Sequence, residues 1–121
     1  MAARLVAAAD RKTQPGKALL GEIIVHGEDV RWALGAGPGT HPPANVLLVA
    51  EYYKNAGAPL KVKARIAGLA LRATDADFHT GEGQEINGPI LALLLAMAGR
   101  GAALSQLAGA GVDTLKGRIG L

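Results

Sequence analysis

The chain has 121 residues, half of them apolar, and its whole aromatic set is Trp32, Tyr52, Tyr53 and Phe78. That is material for one average domain or two very small ones, with a core of Ala, Leu, Ile and Val that brings elements close together. Net charge is +3 and cysteine is absent, which excludes disulfides, thiolate metal sites and a protein thiol nucleophile, and the longest apolar run, Pro89 to Ala98, is too short to cross a bilayer.

Residues 2–12 read as an amphipathic helix. Their apolar part is too short for a signal sequence and runs straight into Asp10, Arg11 and Lys12, so a cytoplasmic protein with no membrane partner is expected. Thr13-Gln14-Pro15-Gly16 is a loop by composition. A second helix is predicted from Lys17 to Leu34, with Gly21 and Gly27 inside it as places of close helix packing or ligand approach.

This second helix carries the most informative spacing in the chain. Glu22 and His26 stand one turn apart, and at about 100° per residue Asp29 returns to their face, together with Leu19, Val25, Val30 and Ala33. Three ionisable groups are thus expected where a core should lie. Burying them unpaired is costly, and a divalent metal held by Glu22 oxygen and His26 nitrogen would compensate, with Asp29 orienting the imidazole. The plainer alternative for so short a pattern is a Glu–His hydrogen bond at a boundary or facing solvent.

Gly35 to Pro43 is a turn-rich connector. Its Gly-x-Gly follows a helix and contains prolines, which argues against a dinucleotide loop. Pro42 or Pro43 opens a third helix with Val46, Leu47, Val49, Ala50 and Tyr53 at helical spacing, closed by Gly57 and Pro59. The pattern then alternates: Lys61–Ile66 and Leu69–Asp75 read as two strands of a hairpin turning at Ala67-Gly68, with Lys61, Lys63 and Arg65 on a solvated face. Without aromatic platforms or a longer basic stripe this is no nucleic-acid surface, though it is compatible with anionic small molecules.

The polar stretch Asp75 to Gly83 leads to a short strand over Gln84–Asn87. Asn87 and Pro89 then start a nearly all-apolar helix, Ile90 to Ala98, closed by Gly99 and followed by Arg100. Two short helical segments, Ala102–Leu107 and Asp113–Ile119, complete the chain. The predicted class is α+β: a helical part over residues 1–57, and a small α/β part over 60–121 built on an antiparallel sheet.

In order, Gln14-Pro15-Gly16, the run from Gly21 through Glu22, His26 and Asp29 to Arg31, Ala73-Thr74-Asp75, Asn87-Gly88-Pro89, Ala98-Gly99-Arg100 and Leu107 to Val112 resemble the actinobacterial mycothiol-dependent maleylpyruvate isomerase family over nearly the whole chain. The resemblance implies a DinB-like four-helix bundle that binds a divalent metal, usually zinc, followed by a small domain related to sterol carrier proteins. Of that bundle, this sequence matches the back half. Glu22 and His26 stand at the family's Glu-x-x-x-His metal ligands. The family's further histidine ligand, from an early helix, has no match here, and neither His41 nor His79 takes its position.

The implied chemistry uses mycothiol as cosubstrate, its thiol deprotonated by the metal, to add to the double bond of a maleyl-type diacid, permit rotation and leave. Arg100 is the best match for an arginine that holds the substrate carboxylate, and its plainer role is to cap a helix C-terminus. A non-catalytic metal-binding or dimerisation module is the competing function. A carrier of hydrophobic ligands is disfavoured by the small sheet. Because two bundle helices leave the stripe of Leu19, Ile23, Val25 and Val30 open to water, a homodimer through the N-terminal helices is expected, bringing Glu22 and His26 of the two copies together.

Overall fold

The computed structural model describes residues 14–57 and 60–120. The helix expected over residues 2–12 and the stop at Pro59 lie outside the described residues. Helix α1 spans Gln14–Ala33, so Gln14, Pro15 and Gly16 are its first turn and not a loop. Proline suits that turn, where its missing N–H has no helical partner to lose. After the connector comes α2, Pro43–Tyr53, opened by Pro42 and Pro43.

Gly21 explains how α1 meets α2. A methyl group on Gly21 would stand 2.6–2.9 Å from the phenol end of Tyr53, so only glycine admits the buried ring at this crossing. Gly27 has no such role, for a Cβ there meets nothing within 4 Å.

The expected strand over Lys61–Ile66 is a single helical turn, α3, Val62–Arg65. The alternation that reads as a strand also places Val62 and Ile66 four apart, and both are buried on one side of the turn. Lys, Ala and Arg favour helix and are poor strand residues, so propensity decides against the period-two reading. With no first strand there is no hairpin at Ala67-Gly68.

The sheet is mixed, not antiparallel throughout. Its strands are β1, Leu69–Ala73, β2, His79–Thr80, and β3, Gln84–Gly88, in the order β2-β1-β3. β1 runs antiparallel to β2, with Leu71 opposite Thr80, and parallel to β3, with Leu71 opposite Ile86. To reach the far side of β1 after β2, the chain must cross the start of β1, and it does so at Gly81 and Gly83. Both have positive φ, and a Cβ on either would overlap a carbonyl oxygen, of Leu69 and Gly68 respectively.

Helix α4, Ile90–Met97, is buried on nearly all sides, as its composition demands. Its N-terminus is not capped by Asn87, which belongs to β3. Asp75, from the end of the β1 segment, does this work: its Oδ1 accepts the Ile90 N–H at 2.8 Å. Gly99, at φ +86°, ends the helix. A 3₁₀ segment, Gly101–Gln106, and α5, Gly111–Ile119, follow close to where the sequence places helical turns.

The fold is therefore α+β. One apolar cluster runs from Leu20, Ile24 and Val25 of α1 through Val49 and Tyr53 of α2 to Leu71, Ile86, Leu93, Leu94 and Leu115. α2 packs directly on α4, across the seam expected near residues 57–60.

Candidate functional site

Helix α1 buries Leu20, Gly21, Ile24, Val25 and Glu28. Glu22, His26 and Asp29 stand off this face at its rim, and the expectation that they point into a core is corrected: the Glu22 and His26 side chains are 55% and 63% exposed. Of their predicted stripe mates, Val25 is buried, Leu19 half-buried, and Val30 and Ala33 exposed. The helix has 20 residues, and among the described residues it packs on one side, so a stripe one third of the way round falls on the edge of that packing.

At that edge the predicted residues do meet. His26 Nε2 lies 2.6 Å from Glu22 Oε2, and His26 Nδ1 lies 3.5 Å from Asp29 Oδ2. Arg100 reaches the same place from 71 positions further along the chain. Its Nε donates to Asp29 Oδ1 at 3.0 Å and its Nη2 to Asp29 Oδ2 at 2.8 Å, a two-pronged pair. Its Nη1 donates to Ala98 O at 2.9 Å, so the helix-capping role is present alongside the pairing.

These groups surround a cleft of 150 Å³ lined by Glu22, Val25, His26, Tyr53, Leu60, Ala98 and Arg100. Tyr53 is the member that periodicity assigns only to the core. Its phenol is pushed above its usual pKa, first by burial and then by the Glu22 charge, and it stays a neutral donor. The hydrogen bond from Arg100 holds the Asp29 carboxyl below the usual carboxylate range, and Asp29 in turn raises Arg100.

A depressed carboxylate contributes stability above its unfolded pKa, near pH 4, and that contribution is lost as the pH falls through the lower folded value. Both partners are more than a third exposed, so solvent screening limits the pair to about 1 kcal/mol. Asp29→Asn is expected to cost about that much at pH 7 and little at pH 3, read by urea denaturation at both. An equal loss at the two pH values would show that the pair contributes nothing through charge.

A second cluster was not foreseen. Glu28 is fully buried, the one polar or charged side chain so placed among the described residues. It accepts the Gly39 N–H at 3.1 and 3.0 Å and pairs with His41 Nε2 at 2.7 Å. Arg31 holds the same connector from its carbonyl side, through Gly37 O at 3.1 Å. Gly39 is required, because a Cβ would sit 2.5 Å from Glu28 Oε2. The pinned connector forms one wall of a cleft of 480 Å³, which is closed on the other side by Asp75, Pro89 and Ile90.

Among the described residues no group of three or more His, Asp or Glu side chains is placed to hold a metal ion. Glu22 and His26 supply two suitable donors. No helix among the described residues is long and apolar enough to cross a membrane. No family model, curated protein or solved structure matches the chain.

Proposed function

We propose that this chain holds a divalent metal, zinc by preference, through Glu22 and His26, and serves a thiol-using isomerase or transferase of the maleylpyruvate isomerase kind with mycothiol as cosubstrate. The observation that carries the reading is the arrival of Arg100 beside the Glu22/His26 pair from the far end of the chain. A carboxylate oxygen and an imidazole nitrogen one helical turn apart suit zinc, and two protein donors leave the other coordination positions to outside ligands. An ion held there by Glu22 and His26 would lower the pKa of a bound thiol and so supply a thiolate at neutral pH.

The protein's own groups have distinct tasks. Asp29 faces His26 Nδ1 and fixes the ring so that Nε2 is presented beside Glu22. Arg100 uses three of its five N–H groups on Asp29 and Ala98 and keeps one on each terminal nitrogen, enough for a single substrate carboxylate. The neutral Tyr53 phenol offers a further donor to the cleft.

Metal analysis of the purified protein tests the reading. Stoichiometric zinc uptake by the parent, abolished in His26→Ala, is the expected result. A parent chain that takes up no zinc, or a variant that takes up as much as the parent, overturns it.

A second reading, self-association through α1, has its own observation. Ile23, Val30 and Leu34 are 44%, 60% and 77% exposed, and with Gly27 they recur at intervals of four, three and four along one helix face. That is the spacing of a helix–helix seam. An antiparallel pairing about a two-fold axis between Glu28 and Asp29 sets Ile23 against the partner's Leu34 and seats the partner's Val30 over Gly27. Gly27→Ala is then expected to strengthen the helix by about 1 kcal/mol while weakening the dimer, because the added methyl fills the seat. Sedimentation of both proteins decides: a parent that is monomeric throughout the micromolar range removes this reading.

A further inference from the structure

Lys61, Arg65 and Arg118 come together around an open recess of 270 Å³ whose remaining wall is Ala64. Among the described residues no acidic side chain lines it and none of the three cations forms an ion pair. Like charges gathered without a counter-charge repel one another, so the fold must hold them in place by other means.

The means are visible at both arginines. Arg118 Nη1 donates to Arg65 O at 2.8 Å and to Ala67 O at 2.6 Å. Arg65 Nη1 donates to Leu60 O at 3.1 Å and to Met97 O at 2.5 Å. Each guanidinium is thus moored to backbone by one nitrogen, while its Nε and Nη2 make no hydrogen bond to a described residue. Arg118 is an exposed residue, and Arg65, which is half-buried, has no buried unpartnered nitrogen, the one such atom among the described residues that are not exposed being Trp32 Nε1. Backbone carbonyls fix a guanidinium but do not neutralise it. Two moored cations with N–H groups unused among the described residues therefore line one recess, and part of the ordering cost of catching a ligand is already met.

Lys61 adds an independent sign. It is the one described non-glycine residue with positive φ, at 57°, where the Cβ of an L-residue is strained and glycine is at ease. The position thus keeps a long cationic side chain at the expense of backbone comfort. Strain of this kind collects where a side chain is needed for something other than folding.

We infer that this recess binds a phosphate group, as the dianion of a small water-soluble phosphomonoester. A planar carboxylate is served by one guanidinium. Two guanidiniums and an ammonium suit a tetrahedral dianion with several acceptor oxygens. Among the described residues Ala64 is the one apolar residue that lines it, and the other carbon surface is the stems of the three cations, so a soluble ligand is preferred over a lipid headgroup.

The test is a backbone amide NMR titration with inorganic phosphate, at low salt because the site is open and screened. Saturable shifts at Lys61, Ala64, Arg65 and Arg118 are expected, with a dissociation constant in the millimolar range, and without matching shifts from chloride at equal ionic strength. Lys61→Gly and Arg118→Gln should each weaken binding about fivefold. The glycine variant is the sharper of the two: it relieves the backbone, so its thermal midpoint should hold or rise while affinity falls, which no merely structural role for Lys61 produces. Absence of saturable shifts overturns the proposal, as do equal shifts from chloride or a Lys61→Gly variant that binds phosphate like the parent. Co-sedimentation with phosphatidate vesicles but no response to inorganic phosphate overturns the assignment to a soluble ligand.

Discussion

Glu28→Ala is expected to cost about 3 kcal/mol and to lower the thermal midpoint by about 10 °C. The carboxylate is fully buried and receives the Gly39 N–H and His41 Nε2. Removing it strands both donors and empties a space between α1 and the connector, and each lost contact to a charged acceptor is worth about 1.5–3 kcal/mol. Glu28→Gln should be milder, since its amide oxygen still meets Gly39 and its amide nitrogen faces the His41 ring in the other tautomer. Urea denaturation of the three proteins checks the order. An alanine variant within 1 kcal/mol of the parent would mean that the connector is held by Arg31 alone.

Gly83→Ala is the second severe change. Gly83 has φ +125°, a conformation open almost only to glycine, and its Cβ would overlap the Gly68 carbonyl at the start of β1. Neither atom can retreat: one belongs to the crossing segment and the other to the strand being crossed. A loss of about 3 kcal/mol or more is expected, with β3 the element that detaches. Gly117→Ala is the matched control. It sits in α5 with open space at its Cβ, so alanine should stabilise by about 1 kcal/mol. A Gly83→Ala protein as stable as the parent would show that β1 and β3 need not be parallel neighbours.

Several elements were readable from sequence for simple reasons. The run Ile90 to Met97 is too apolar to be anything but a covered helix, and Pro43 with the spacing of Val46, Val49, Ala50 and Tyr53 defines α2. α3 was not readable, because four residues are compatible with periods of two and of four alike. β2 is two residues long inside a polar stretch and leaves no pattern. The parallel pairing of β1 and β3 depends on the glycine crossing, which only the third dimension reveals.

The site was half legible. Spacing alone brings Glu22, His26 and Asp29 together on α1, but not the side of the helix that is covered, which depends on where α2 lies. The face of Gly21, Ile24, Val25, Glu28 and Trp32 follows the same three-and-four spacing and is the one nearer the core. Reading it would have singled out Glu28 as the buried charge. His41 as its partner could not be read, since the connector has no periodicity from which to place it.

The sheet has one further consequence, for how this chain meets other chains. A strand edge with free N–H and C=O groups is a template on which another strand can grow. Here one edge is β2, a mere two residues, and the other is closed by the 108–109 segment, with Asn87 N–H to Ala108 O at 2.7 Å and Ala108 N–H to Asn87 O at 2.9 Å. Gly109 presses so near β3 that a Cβ would overlap the Glu85 carbonyl oxygen. Neither margin offers a row of free groups long enough to seed an added strand. The described part of the molecule is thereby guarded against runaway β-aggregation, although half of the sequence is apolar.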